Sequence, residues 1–407
     1  MFDDSNLIVG LEIGTSKVCA VVGELNAEGA LNIIGLGQAT TRGVRKGEIV
    51  DTTSAEECVR QAIVEAEQMA NVEIRNVYLG VTGAHIRGFN NRGVHRVLSA
   101  DRDITDDDVE DVVKNAKTIN LPAPNSIIHA VRQHFYLDGQ DGVLNPVGML
   151  GALLEVDVHV VHGITNRLHN PMRLVKGLRL EVNEIIFNGL ASSLALLTNE
   201  QKEMGALVID LGGGTTEYVL YANGIIKHTG VFAIGGDHIS NDLGHGLKVT
   251  LTRAEKLKKE YGSAVLTGEV KGRTISLTNE VNLPVRTINL EHLQRIMALR
   301  LEELFQIILH DLEQNGLQAY LANGVFLCGG GARTPRIAEL AQTVFEAPVS
   351  IGQTNSISGL KSALDQPEFH TAIGLVKYGS LKNRKRPAAL FPNFNFKVIL
   401  DKFLPPR

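Results

Sequence analysis

At 407 residues, 44% hydrophobic and 21% charged, with 41 glycines and 12 prolines, the chain has the make-up of a soluble globular protein of two or more domains, which excludes a disordered or fibrous one. A formal net charge of -5 gives no global case for nucleic acid as a partner, so any basic contact must be local. Cys19, Cys58 and Cys328 show no Cys-x-x-Cys spacing and read as buried thiols of a reducing compartment, against zinc; with no leader-like N-terminus and no apolar run of about 18 residues, the expected location is cytoplasmic.

Leu7 to Val22 holds two apolar, β-prone runs joined by Gly14-Thr15-Ser16-Lys17, which predicts a hairpin. Lys17 offers a point charge to an anion, the alternative being a solvated turn lysine. A strand over 31–36 follows. A helix over 53–69 carries Ala55, Cys58, Val59, Ala62, Ile63 and Ala66 on one face, with Ser54 and Glu57 as a capping box. Another strand spans 77–83. From there to 163 the texture changes to short strands around one helix, opened by Thr105 with Asp106 to Asp108 in its first turn, and strands over 127–134 and 153–161. This reads as an inserted subdomain. Its acidic run suits the helix dipole and solvent better than a metal, and His159 and His162 point to opposite faces of one strand, as structural residues.

Helices over 170–178 and 185–197 come next, the second with small residues from Gly189 to Ser193 that permit close approach. Leu207 to Glu217 then gives an apolar run ending in Asp210, three glycines (Gly212, Gly213, Gly214) and two threonines (Thr215, Thr216). Glycines let successive N–H groups converge on an anion, although such a stretch alone also fits an ordinary tight turn. Its second copy decides between them: Glu12, Gly14 and Thr15 stand in the first hairpin as Asp210, Gly212 and Gly213 stand in this one. A repeat of this kind predicts two similar lobes whose hairpins clamp one polyphosphate, with Glu12 and Asp210 facing Mg²⁺ through its water. Gly235, Gly236 and Asp237 open a helix whose N-terminus faces a phosphate. The charged helix over 250–261 reads as solvated. After a strand near 280–288, a long helix over 290–315 turns Leu293, Ile296, Met297, Leu301, Leu304, Ile307 and Ile308 inward. Gly324 to Arg336 is again strand, glycine turn (Gly329, Gly330, Gly331, Ala332) and helix, with Pro335 at the helix start. A flat ring can lie against such a turn, so three glycine turns on one rim predict a nucleotide.

Gly10 to Val18, Val208 to Glu217 and Leu327 to Ala332 resemble the phosphate-1, phosphate-2 and adenosine motifs of the actin, Hsp70 and sugar-kinase superfamily. The fuller resemblance is to the FtsA family of bacterial cell-division actin homologues. It extends through Arg42-Gly, Lys46-Gly, Ile185 to Ser193 and Pro367 to Leu375, and the segment ending at Asn145 to Met149 resembles the family's subdomain 1C. Ala254 to Gly262 resembles the nucleotide helix of bacterial actins, which implies Glu255 on the ribose and Lys258 near the adenine. The superfamily usually has Asp where this chain has Glu12. With no placed general base beyond Glu12, Asp210 and Glu217, slow or absent ATP hydrolysis is expected.

In the tail, a basic linker precedes 394–404. A helix opened by Asn393 would put Phe396, Ile399, Leu400, Phe403 and Leu404 on one face, suited to an anionic membrane surface or to packing on its own domain or a neighbour. The family's members typically end in such a membrane-targeting helix.

The resemblance thus implies an α/β chain of the actin-like ATPase fold, with two ribonuclease-H-like lobes, ATP and Mg between them, an inserted SHS2-like subdomain 1C and a subdomain 2B. The expected boundaries are 1–82, 164–200 and 371–380 for 1A, 83–163 for 1C, 201–236 and 316–370 for 2A, 237–315 for 2B and 381–407 for linker and tail. It also implies a filament-forming protein that tethers FtsZ, through that protein's C-terminal peptide, to the cytoplasmic face of the inner membrane at the septum. A sugar or acyl kinase of the same fold would need a placed base and a substrate pocket. A pilus-assembly adaptor is a third reading, less suited to the tail and the full insertion.

Overall fold

The computed structural model describes residues 6–26, 28–99, 101–266, 268–277, 286–360 and 366–383. The chain opens with the hairpin of β1 (Leu7–Ile13) and β2 (Lys17–Leu25), extended antiparallel by β3 (Leu31–Thr40). β1 and β2 are buried along most of their length, as strands covered on both faces must be. A small hairpin, β4 (Val44–Arg45) and β5 (Glu48–Ile49), leads into α1 (Thr52–Ala70). Asp51 caps α1, accepting from the N–H groups of Thr53 and Ser54. The box expected at Ser54 and Glu57 does not form; Glu57 pairs with Arg42 instead. A carboxylate one turn earlier satisfies the same orphan donors.

β6 (Asn76–Val81) runs parallel to β1. The insertion follows: β7 (Arg87–Arg96), α2 (Asp106–Lys117), β8 (Asn125–Leu137), β9 (Gln140–Val143) and β10 (Leu153–Ile164), with the sheet order β7-β10-β8-β9. Thr105 and Asp108 form a reciprocal cap on α2. α3 (Thr165–Gly177) returns the chain to the first lobe, where β11 (Glu181–Phe187) pairs with β6. Helix was expected from residue 185, but α4 (Asn188–Leu196) begins three residues later. Ile185, Ile186 and Phe187 instead pair with Leu79, Gly80 and Val81, so an apolar run that fits either periodicity is claimed by the sheet edge beside it.

The second lobe repeats the plan. After α5 (Asn199–Met204), β12 (Ala206–Leu211), β13 (Thr216–Ala222) and β14 (Ile225–Phe232) form the antiparallel meander. Next come α6 (Gly236–Leu247), α7 (Leu251–Tyr261), the ribbon of β15 (Thr274–Leu277) with β16 (Arg286–Asn289), and α8 (Leu290–Gln314). β17 (Val325–Cys328), α9 (Ile337–Phe345) and β18 (Val349–Ile351) complete the lobe; β19 (Ser358–Gly359) and α10 (His370–Asn383) cross back to the first. α9 starts two residues beyond Pro335, whose carbonyl accepts from the N–H of Ala264. The sheets read β11-β6-β1-β2-β3-β19 and β14-β13-β12-β17-β18. In each, the first strand of the glycine hairpin has its hairpin mate on one side and a parallel strand on the other. The repeat read in the sequence is therefore a repeat of topology.

α10 is buried on every side from His370 to Val376. It packs so closely on α4 that a Cβ on Gly374 would overlap the Ala191 carbonyl, and so closely on β1 that one on Gly10 would sit 2.8 Å from Leu375 Cβ. The inserted subdomain grows from the first lobe yet docks on β14 of the second. Gln133 Oε1 accepts from Ile226 N–H at 3.0 Å, Asn90 donates to the Lys227 carbonyl at 3.2 Å, and buried His159 sits 2.7 Å from Asn90 Oδ1 and 3.0 Å from Thr229 Oγ1.

Candidate functional site

The turns of the two hairpins close with one bond pattern: Gly14 N–H donates to the Lys17 carbonyl at 2.9 Å, and Gly212 N–H to that of Thr215 at 3.0 Å. They meet across a cavity of about 580 Å³ between the lobes. Of the expected residues, Glu12, Gly14, Thr15, Ser16, Lys17, Asp210, Gly212, Gly213, Thr215, Gly236, Glu255, Lys258, Gly329, Gly330 and Gly331 line it. Gly214, Thr216, Gly235 and Ala332 lie behind the wall. Gly214 packs on Thr15 and Lys46, Thr216 donates to the Ile234 carbonyl at 2.8 Å, Gly235 packs on the carbonyls of Gly212 and Gly213, and Ala332 is in the core of the second lobe. A larger open groove beside β3 and α1 shares Lys17, but its wall is mostly surface side chains such as Gln38, Arg60 and Gln68. The interlobe cavity gathers glycines of both hairpins and of the turn before α9.

Three carboxylates gather at the phosphate end. Asp210 is pinned by hydroxyls of α4 and α10, its Oδ2 accepting from Ser192 and Thr371 at 2.6 Å each. Glu12 accepts from Lys17 Nζ at 2.8 Å. Burial first, and Asp210 next, raise the Glu217 carboxyl, which accepts from Thr82 of the first lobe. Burial likewise raises Glu12 despite the opposing Lys17, with Asp210 adding to the rise. Burial works against the charge of Lys17, yet Glu12 carries it above the ordinary lysine range. Such crowding of buried negative charge favours positive charge nearby, as Lys17 supplies to Glu12.

The start of α6 differs from expectation. The N–H groups of Gly236 and Asp237 donate to the carbonyls of Gly212 and Gly213 at 3.0 and 2.8 Å, and Gly235 N–H donates to His238 Nδ1 at 3.2 Å. The first two donors hold the second hairpin in place and the third closes on its own helix, so none of the three is turned to an anion. On the far wall, α7 presents Glu255 and Lys258 as a pair at 2.6 Å, with Lys258 also donating to the Gly236 carbonyl at 2.9 Å. The solvated reading of this helix gives way on that face. Opposite, Gly329 adopts φ +79 beside Asp210 and Leu211, a site where only glycine fits, while Gly330 opens on free space, as a surface for a flat ring requires.

Thr82, Asn188 and Glu368 also line the cavity, and none was singled out in the sequence. Asn188 Oδ1 and Glu368 Oε2 are buried without a hydrogen-bond partner among the described residues. The fit to a nucleotide rests on the three glycine turns and the Glu255–Lys258 pair that share the cavity wall. Among the described residues no three His, Cys, Asp or Glu side chains converge as metal ligands, and no helix is long and apolar enough to cross a membrane. The expected lipid-facing residues, Phe396, Ile399, Leu400, Phe403 and Leu404, lie outside the described residues.

Comparison with known proteins fits this geometry. Residues 207–374 match the family described as cell division protein FtsA, and residues 83–162 the SHS2 domain inserted in FtsA. The FtsA of Pseudomonas aeruginosa is 36% identical over 376 residues, 92% of this chain and 90% of that protein; the FtsA of Escherichia coli K12 is 35% identical over 383 residues, 92% and 91%. Among solved structures, the PilM–PilN type IV pilus biogenesis complex gives a TM-score of 0.65 at 17% identity, over 92% of this chain and 98% of that one. MreB5 of Spiroplasma citri bound to ADP gives 0.57 at 14%, over 94% and 99%. The fold is the actin-like one of these structures, and with such likeness along nine-tenths of its length the chain belongs to the FtsA family of cell division proteins.

Proposed function

We propose that this chain acts in cell division as an ATP-binding adaptor: it polymerises, lies on the cytoplasmic face of the inner membrane at the septum, and tethers the C-terminal peptide of FtsZ there. The observation that carries the nucleotide reading is the pair of equivalent hairpins from opposite lobes lining one cavity, with the Glu255–Lys258 pair on its far wall. ATP would bring a polyphosphate and a Mg²⁺ that keeps most of its water. Glu12 and Asp210 would accept from that water, Ser192 and Thr371 fixing Asp210 in place. Glu255 and Lys258 would take the ribose and adenine end. Residues 394–404 would serve as the lipid contact.

Asp210 and Glu217 sit in the wall under fixed hydrogen bonds, and neither is poised as a free base, which supports slow or absent turnover. One experiment covers the reading. Full-length protein with ATP and Mg²⁺ is expected to carry a labelled FtsZ C-terminal peptide down with anionic vesicles. Deleting 394–407 should abolish lipid binding and leave ATP affinity intact, and Asp210→Ala with Gly213→Val should weaken ATP at least about tenfold by removing the cation partner and filling the hairpin. Unchanged ATP affinity in the double variant, or vesicle binding without the tail, overturns the corresponding part.

A further inference from the structure

Every Lys or Arg lining the cavity is already paired among the described residues. Lys17 is held by Glu12 at 2.8 Å, Lys258 and Lys259 by Glu255 at 2.6 and 3.2 Å, and Arg333 by Glu368. The wall also holds Asp210, Glu217 and Asp237. Its four cations are thus outnumbered by its six carboxyl groups, so beyond the Mg²⁺ it carries a polyphosphate entering the cavity gains from any further positive charge at the rim.

The tip of the β4–β5 hairpin supplies a candidate. Lys46 and Gly47 both adopt positive φ, 51° and 76°, forming a tight turn wedged where the phosphate hairpins meet. Gly47 N–H donates to Thr15 Oγ1 of the first hairpin at 2.9 Å. A Cβ on Gly214 of the second would lie 2.8 Å from Lys46 Cα, and one on Gly47 would lie 2.7 Å from the Thr82 methyl and 3.3 Å from that of Thr215. The hairpin is braced from behind by Arg167, which pairs with Glu48 at 2.7 Å. Lys46 itself is exposed and makes no hydrogen bond or ion pair among the described residues. Its charge nonetheless reaches the opposite lobe: burial first and Lys46 next hold His238 on α6 below its usual range.

We infer that Lys46 is a specificity residue that reads the terminal phosphate of a nucleoside triphosphate from the lobe junction. The backbone of its turn is fixed against both hairpins, while its four-carbon stem and unpaired ammonium are free to swing onto an anion held between them. A diphosphate, one group shorter, would leave the ammonium in solvent. This inference rests on the nucleotide reading of the cavity.

The test uses the full chain, with ATP and ADP titrated separately in Mg²⁺ into wild type, Lys46→Asn and Lys46→Arg. Asparagine tolerates the left-handed backbone at this position, so the turn is kept while the charge is removed. Lys46→Asn is expected to weaken ATP about tenfold, the scale of one hydrogen bond to a charged group, and ADP by less than about twofold, with Lys46→Arg close to wild type. Equal losses for the two nucleotides, or none for either, with wild type binding both, overturn the role of Lys46 and leave the cavity reading standing. A wild type that binds neither overturns both.

Discussion

Glu217 shows how a single carboxyl ties the two lobes together. It belongs to β13 of the second lobe, accepts from Thr82 at the end of β6 in the first, and is raised by burial and by Asp210. A carboxyl whose folded pKa lies above its unfolded 4.5 holds its proton in the native state over a range where the unfolded chain has lost it. Its contribution to stability is full below about 4.5 and falls as pH rises through the raised value. Glu217→Gln mimics the protonated form. Chemical denaturation at pH 5 and pH 8 without ligand is expected to show a smaller loss of stability between the two for the variant than for wild type; an equal or larger loss would remove Glu217 from this account. Asp210 differs because its position is fixed by two hydroxyls from separate helices, so replacing Ser192 or Thr371 disturbs where that carboxylate stands as well as how strongly it is held.

At the level of elements, the site rests on α4 and α10 as much as on the hairpins, because their packing sets the position of Ser192 and Thr371 under Asp210. Gly374 makes the approach possible, since any side chain there overlaps the Ala191 carbonyl. Gly374→Ala is expected to destabilise the protein by about 1–3 kcal/mol, the usual range for overpacking a tight core, read as a lower denaturant midpoint at unchanged slope; an unchanged midpoint would show that the helices part without strain. The two hairpins and the glycine turn before α9 were legible because glycine, carboxylate and apolar residues recur there in a short local pattern, whereas the inward face of α7 was suggested by the family resemblance alone. What was not legible came from distant parts of the chain. Thr82 and Asn188 are ordinary strand-end and helix-start residues until β6 and β11 bring them beside the cavity. Ala332 completes a motif in sequence but turns inward because its turn must also plug the core. Donors at the start of α6 looked free for an anion, since nothing local reveals that the carbonyls of Gly212 and Gly213 would reach them first.

Across the whole molecule, the inserted subdomain belongs to one lobe by chain connection and to the other by contact. His159 is central to that contact, buried and hydrogen-bonded to Asn90 and Thr229. Burial first, then His228 and His129, lower it to about 3, and burial also lowers His129, beneath β11, to about 3. Neutral in the fold, both would take a proton in the unfolded chain below about 6.5, so their contribution is present above that pH and is lost as pH falls towards 3. His159→Ala leaves Thr229 and Asn90 without their shared partner, at a cost of about 1–3 kcal/mol. Amide exchange at Ile226 and along β14 is expected to quicken while β1 and β2 stay protected; unaltered exchange in β14 would mean that the subdomain is held by its apolar contacts alone.

The course of the chain also orders its completion as it leaves the ribosome. All five described strands of the second lobe's main sheet lie between Ala206 and Ile351, a continuous stretch able to close its core early. The first lobe must wait for β19 and α10, whose Ala372, Leu375 and Val376 fill its centre. The Gly14 hairpin is therefore among the first segments synthesised, yet the last to be seated, and the inserted subdomain spends the interval between them without β14 to rest on. For a chain made from its N-terminus onward, the half that emerges first is the half exposed longest.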